Sequence, residues 1–549
     1  MGHDCVRYWP DLRDDLNVLT SIHHRFGADI PSGKEDAQLA FRSFAKKLIR
    51  ARFDSLVPGR HDLSVDAYIA NANKPVDYLE RCVKELAETR RIVPKDLRTS
   101  SFLKWESYDE IKFPRSINAY STRTNVALGR YFQLADKSVF GLRNVQGNLF
   151  VKNIPVRERP SHLESRFGNR PVNTTDFSSM ECHHRGIYTE VAWFWIHHVL
   201  RAVADEHSLT LVREMLFGNN NCDFGGIEAR IPHTLMSGAL WTSSQNGVLN
   251  MLLMSYCVLR TRYPNASIAE LVRRFDEFNG CFEGDDGIFE GDIDPQLVKD
   301  LGLKLKLKSH DSYHGASFCG IVKMATENTI FTDPIKSICD FFVLRAQFGL
   351  ARTALAKAQL RAKALSYYYQ YANCPIVGPL AYAVLMHTRG HNVDENTERD
   401  WYKRYVLREA LEEAKKQTET EKFYKQPPNV SPQARDFVYK TYGLDPAWQI
   451  LYEEQIAKWA LGLPHNLPPH PKLDQYYRHG ETHIGNYDPR DENEGNTYCF
   501  GDEYISEEGT WILGADPKET GLPTKRVFGI YAHPSVYLRG TTTQPTRVS

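Results

Sequence analysis

Apolar and polar positions divide the chain into stretches with distinct periods. From Arg185 to Ala204 apolar residues recur on one broad helical face, which predicts a long helix. Just before it, Val172 to Phe177 reads as a short strand that ends at Asp176. A second helix is predicted to begin near Thr242 and to continue apolar through Cys257. Two short apolar-containing runs then flank Gly284-Asp285-Asp286-Gly287, and this pattern predicts a β-hairpin with the two aspartates at its tip. Pro295 to Leu301 reads as helix. Leu303 to Lys308 alternates strictly, so Lys304, Lys306 and Lys308 are expected on one strand face. Ser317 to Val322 reads as another strand.

Upstream the pattern is less regular. Residues 1 to about 60 mix helix and loop, with basic residues clustered from Lys46 to Arg60. A turn-rich loop around Asn71 to Pro75 leads into a helix-like run from Val76 to Arg90. The stretch Phe102 to Gly129 suggests extended strands presenting Lys104, Lys112, Arg115, Arg123 and Arg130, with Pro114 at an edge or bulge. Downstream, the chain to about 465 is expected to be mostly helical, with Asp333-Pro334 and Asp445-Pro446 as N-cap and first-turn pairs and a linker near 417–433. Beyond 465 it reads as an irregular tail rich in Pro, Gly and acids.

Composition narrows the setting. The 549 residues carry a formal net charge of zero and are 42% hydrophobic, enough for a large core and several structural units. Ten cysteines occur without any C-x-x-C pair, which points to reduced thiols of a cytosolic protein. The longest apolar run, Val248 to Leu259, is interrupted by Asn250 and Ser255 and falls short of a membrane span. No signal peptide is read at the N-terminus, and Val6 stands where myristoylation needs Ser or Thr. Zero net charge argues neither for nor against nucleic acid, because a channel needs only local basic surface.

Three groups of residues carry candidate chemistry. Adjacent carboxylates at Asp285 and Asp286 repel, and Mg²⁺ or Mn²⁺ would offset that cost; the alternative is an ordinary acidic turn. A calcium loop of the EF-hand type is excluded, since Gly287 falls at its third position and not its sixth. Asp176 at a strand end, with Glu181 five positions on, adds two acids at one strand-to-helix junction. The basic stretch Lys104 to Arg123 would suit a triphosphate, or would be a solvated surface strand. Ser237-Gly238 makes a flexible loop, and Thr242 and Asn246 share a helical face. Their side chains could hydrogen-bond sugar hydroxyls, or merely start a helix. The pairs His183-His184 and His197-His198 lack zinc spacing.

In this order the elements resemble viral RNA-dependent RNA polymerases. The Asp176 segment is similar to motif A of that family, S-G-x-x-x-T-x-x-x-N from Ser237 to motif B, and Gly284-Asp285-Asp286 to motif C. The lysine strand looks like motif D, Phe318-Cys319-Gly320 like motif E, K-W-E…K-F-P-R-S-I-N from Lys104 like motif F, and the Asn71 to Pro75 loop like motif G. P-R-x-I-N, F-C-G and the segment Arg361 to Ser366 most resemble the tombus- and noda-like positive-strand RNA viruses. The resemblance covers about 65 to 370. It departs at Glu181, where many members carry Asp.

That resemblance implies an α+β right hand of fingers, palm and thumb, with an antiparallel palm sheet and a mostly helical thumb. The expected divisions are an N-terminal extension and fingers to residue 165, a palm from 166 to 325 with a fingers insertion around 205–235, a thumb from 326 to 465, and the tail. It implies two metal ions, Mg²⁺ or Mn²⁺, held by Asp176 and Asp285 with Asp286 in support. Lys306 would donate a proton to pyrophosphate. Lys104, Lys112, Arg115 and Arg123 would bind the nucleotide's triphosphate, and Glu181, Ser237, Gly238, Thr242 and Asn246 its ribose. Implied partners are RNA template and product, nucleoside triphosphates and other viral replication proteins, in membrane-associated complexes of the host cytoplasm, with RNA synthesis starting de novo. A reverse transcriptase-like polymerase and a non-catalytic RNA-binding replication protein are the rival readings. Gly284 before the aspartates and small polar groups at motif B favour an RNA product over DNA.

Overall fold

The structure, a computed structural model, describes residues 14–27, 30–71, 94–104, 113–155, 158–327, 329–341, 353–391 and 427–473, a few single positions between them, and four short strands beyond residue 500. The fold is α+β. In chain order the strands are β1 (Thr99–Leu103), β2 (Ser116–Tyr120), β3 (Arg143–Asn144), β4 (Gly147–Asn148), β5 (Val172–Phe177), β6 (Asn219–Asp223), β7 (Ile227–Pro232), β8 (Gly280–Glu283), β9 (Asp286–Phe289), β10 (Leu305–His310), β11 (Val322–Lys323), β12 (Ile330–Phe331), β13 (Asp502–Ile505), β14 (Trp511–Ile512), β15 (Val527–Phe528) and β16 (Tyr537–Gly540). Two compact units are present. The larger comprises Arg7–Phe150, Thr175–Leu307 and Glu481–Ser549, the smaller Met1–Val6, Val151–Thr174 and Lys308–Gly480.

Two sheets organise the larger unit. One has the order β16-β7-β6-β1-β2 and the other β10-β5-β9-β8. The expected hairpin is β8 and β9, paired antiparallel with Glu283 opposite Asp286. Gly284 and Asp285 are its two connecting residues, and Gly284 has φ +62° while Asp285 keeps an ordinary negative φ. Positive φ at the first connecting position is the type II′ arrangement, which matches strand twist and needs glycine there. Behind the sheets lies the helix Thr242–Arg262, buried continuously from Ser244 to Leu259. A helix buried on every side is a core helix, and here it shares one apolar cluster with Phe44, Trp195 and Phe282 of other elements. Its buried polar residues, Ser244, Gln245, Asn246, Asn250 and Ser255, are therefore exceptions that need partners.

The smaller unit has its own core. The helices Pro334–Phe341, Thr353–Tyr371, Val377–His387, Pro432–Tyr442 and Pro446–Ala460 gather around Phe331, Leu380, Val384 and Tyr452. The two proline pairs start helices as expected: Asp333 Oδ1 accepts from Ile335 N, and Asp445 Oδ1 from Ala447 N. Lys323, nearly buried, donates from Nζ to Glu164 at 2.9 Å.

Several expectations are corrected. Arg123 and Arg130 do not lie on a strand but in the helix Thr122–Phe140, which Ser121 caps by accepting from Thr124 N. Beyond Ser121, Val126, Phe132, Ala135 and Val139 bury one helical face, and that period overrides the alternation seen before it. Ser317 to Val322 is not a strand. Phe318 and Ile321 exchange both backbone hydrogen bonds around Cys319 and Gly320, which have φ +53° and +72°, so F-C-G forms a tight left-handed turn. The lysine strand begins at Leu305, so Lys304 precedes it, and Leu307 is exposed, so alternation in sequence is not matched by alternation in burial. The tail is not wholly irregular: β13 to β16 are strands, and β16 pairs antiparallel with β7. They are two to four residues long, too short for a readable period.

Among the described residues no helix is long and apolar enough to cross a membrane, and Cys182, Cys222, Cys257, Cys281, Cys319, Cys339 and Cys374 are free thiols. The Asn71 to Pro75 loop beyond Asn71, most of the run to Arg90, and 417–426 of the expected linker lie outside the described residues; so do Arg345 and Arg352, which the sequence places with Lys357, Arg361 and Lys363 along one helical segment, and Tyr476, Tyr477, Tyr487, Tyr498 and Phe500, aromatic residues of the tail.

Candidate active site

The acidic end of the β10-β5-β9-β8 sheet gathers three of the expected carboxylates. β5 carries Asp176 and lies beside β9, which opens with Asp286. Contact between the two strands is close. The buried Thr175 hydroxyl lies 3.4 Å from the carbonyls of Asp285 and Gly287, and a Cβ at Gly287 would come within 2.8 Å of it. Glycine at 287 thus lets β9 approach β5, and the residues one step away on each strand, Asp176 and Asp286, are exposed. Asp285 is exposed as well. Among the described residues the side chains of Asp176 and Asp285 make no hydrogen bond or ion pair. Glu283 stands directly across from Asp286, a like-charge pair that destabilises a hairpin unless a cation sits nearby.

Helix Thr242–Arg262 fixes the hairpin from behind. Asn250 Nδ2 donates to Asp285 O at 2.8 Å. Gly247, one turn earlier, allows close packing, since a Cβ there would lie 2.9 Å from the Phe150 ring and 3.6 Å from Gly284 N. Phe150 in turn bridges to Phe282 of β8. Asn246, on the same face as Asn250, bonds through Oδ1 to His184 Nε2 at 2.7 Å.

The loop before this helix is tied to the basic strand. Ser237 Oγ donates to Ser116 O, and Asn118 N donates to Ser237 O. Gly238 has φ +122°, and a Cβ there would meet Asn118 O at 2.7 Å. Thr242 closes the loop, its hydroxyl donating toward Met236 O and Ala239 O. Arg115 immediately precedes β2, and Lys104 N donates to its carbonyl, so the two basic residues stand opposite each other just past the end of the β1–β2 ladder. Like charges placed so suit a polyanion. Arg123 pairs instead with Asp96. Lys112 lies outside the described residues.

Glu181 sits in the short helix Met180–His183, 8% exposed, with both carboxylate oxygens 3.4 Å from Arg25 Nη1. Arg25 lies in the last turn of the helix Asp15–Phe26, and the neighbouring His24 ring stacks on Phe113 with centroids 3.5 Å apart. Burial lowers the His24 pKa to about 4, helped by His23, Lys304 and Arg25. His183 is also lowered to about 4, chiefly by burial, and its Nε2 accepts from Lys304 N at 2.9 Å. Ser178 N donates to Lys304 O, so the entry to β10 is pinned to the exit of β5. Lys306 is exposed on β10.

Neither a family model nor a curated protein matches the chain.

The donor set suits a hard divalent cation. Asp176 and Asp285 offer exposed carboxylates that make no ion pair among the described residues, and Asp286 lies beside them. Among the described residues no three His, Cys, Asp or Glu side chains are grouped so as to hold a metal ion by themselves. Mg²⁺ commonly uses one or two carboxylates and completes its shell with water and substrate phosphates. Sequence reasoning missed Asn250, His184, Gln245 and Arg25. Asn250 had a signal, as a polar interruption of the longest apolar run.

Proposed function

We propose that the chain is an RNA-directed RNA polymerase that copies a viral RNA by two-metal nucleotidyl transfer, on a right-hand scaffold and with initiation de novo. The observation that carries this reading is the juxtaposition of Asp176 on β5 with the Asp285-Asp286 tip, backed by the helix that bears Asn246 and Asn250. Bound Mg²⁺ or Mn²⁺ would lower the pKa of a 3′ hydroxyl and neutralise charge on the leaving pyrophosphate. Asp176 and Asp285 would hold the ions, with Asp286 in support. Arg115 and Lys104 would draw the triphosphate to the end of β2, and Lys112 and Arg123 belong to the same basic segment. Ser237 and Gly238 fix that strand to the loop, Thr242 shapes the loop, and Asn246 would read the ribose together with Glu181, whose carbonyl accepts from the N–H of His184. Lys306 would pass a proton to pyrophosphate. RNA and nucleoside triphosphates are the partners in this reading, with other replication proteins bringing the chain to membranes of the host cytoplasm.

Primed extension on a homopolymer template with Mg²⁺ or Mn²⁺ tests the reading. Template-dependent incorporation of ribonucleotides by the intact chain, lost in a folded Asp285→Ala variant, is the expected result. Preference for deoxyribonucleotides would favour a reverse transcriptase-like enzyme. RNA binding without any incorporation would leave a replication protein that is not a catalyst.

A further inference from the structure

We propose that His184, held by Gln245, sets the orientation of the Asn246 amide and through it the choice between ribo- and deoxyribonucleotides. This rests on the polymerase reading and assigns a positioning role to a residue outside the motifs.

The ring has little freedom. His184 follows the Met180–His183 turn, is fully buried, and has its backbone fixed at both ends: its N–H bonds to Glu181 O, and its carbonyl accepts from Thr189 Oγ1 at 2.8 Å. Gln245 Nε2 lies 2.9 Å from His184 Nδ1, and Asn246 Oδ1 lies 2.7 Å from His184 Nε2. An amide nitrogen donates only, so Nδ1 must accept and the ring proton resides on Nε2. That proton then donates to Asn246 Oδ1. A second proton on the ring would face the Gln245 NH₂ donor to donor. Burial holds the ring neutral, with a pKa lowered to about 4.

The consequence falls on Asn246. Its acceptor oxygen is used by His184, and its Nδ2 group has no protein acceptor among the described residues. Asn250, one helical turn on, shows that this face looks toward the Asp285 turn. A fixed NH₂ can donate to a ribose 2′ oxygen and finds nothing to donate to in a 2′-deoxyribose. A polar group left unpaired in this way is what rejects the analogue. Were the amide free to flip, either face could meet the sugar and the distinction would weaken.

Two amide substitutions separate the ring nitrogens. In His184→Gln the longer amide can place a donor where Nε2 stood, whereas in His184→Asn the shorter one reaches only the Nδ1 position. The intact chain is assayed by single-nucleotide extension with rATP and 2′-dATP, and kcat/KM is compared. The expected result is a ratio that falls about tenfold or more in His184→Asn, through KM for rATP more than kcat, and is largely restored in His184→Gln. The double variant His184→Asn/Asn246→Ala should discriminate no worse than Asn246→Ala alone, since both act through one amide. A wild-type ratio in folded His184→Asn, equal losses in the Gln and Asn variants, or additive losses in the double variant would overturn the assignment. If Asn246→Ala loses discrimination and His184→Asn does not, the polymerase reading stands and only this proposal fails. If the wild-type chain incorporates no nucleotide, the polymerase reading itself fails and the proposal falls with it.

Discussion

Asn250 and Asp285 are joined by a single hydrogen bond, from Nδ2 to the main-chain oxygen at 2.8 Å, made by an asparagine with no solvent exposure. The bond fastens the turn that carries the aspartates to a helix buried continuously from Ser244 to Leu259. An apolar residue at 250 would suit the surroundings better, so the polar one is explained by the turn it holds. Asn250→Leu should therefore separate stability from activity. Stability should change by no more than about 1–2 kcal/mol, because the loss of one hydrogen bond is offset by apolar burial. Nucleotide incorporation should fall well beyond that, since the carboxylates lose their backing. Thermal melts beside extension rates would check it; proportional losses in both would speak for a purely structural bond.

Much of this arrangement was legible in the sequence, and the reasons differ by element. The hairpin was readable because Gly284 and Gly287 each serve a demand that only glycine meets, one a positive φ and the other room for Thr175. The Asp333 and Asp445 caps were readable because capping is local. Arg123 was misplaced because a charged residue at a strand-to-helix junction has the same neighbours in sequence either way. His184 was opaque for a different reason. Its partners lie sixty-one and sixty-two positions away, and no local period points to them.

Asp176 and Asp285 are each exposed and make no ion pair among the described residues, so neither contributes much to folding. Asp176→Asn and Asp285→Asn should leave the melting temperature within a few degrees of wild type or raise it slightly, while cutting incorporation by about a hundredfold or more. Chelation of divalent ions should abolish wild-type activity, and Mg²⁺ or Mn²⁺ should restore it. A variant at either position that extends at the normal rate would remove that residue from the metal site.

Gly238→Ala tests the tie between the loop before Thr242 and the basic strand. The position has φ +122°, which L side chains rarely adopt, and the added Cβ would lie 2.7 Å from the Asn118 carbonyl, a backbone atom that cannot swing aside. Either the loop or β2 must shift, and Arg115 immediately precedes β2. The expected outcome is destabilisation of about 1–3 kcal/mol with a raised KM for every nucleoside triphosphate. Discrimination between ribose and deoxyribose should change less than in Asn246→Ala, because both sugars carry the same triphosphate. An unaltered KM would mean that Arg115 does not depend on this contact.

Acid should destabilise the chain through three histidines near the site. His24, His183 and His184 all have pKa values lowered to about 4, burial being the first cause in each. Their ordinary value is about 6.5, so the unfolded chain binds these protons before the native one does. Stability from this source is complete above about pH 6.5, declines as pH falls, and levels off below about 4. Each such histidine steepens the decline by at most about 1.4 kcal/mol per pH unit. His184→Gln removes one titrating group while keeping an amide in its place. Melting curves between pH 7.5 and 4.5 should therefore be flatter for the variant, whatever its stability at pH 7.5. Parallel curves for wild type and variant would show that His184 takes up its proton in the folded chain as readily as in the unfolded one.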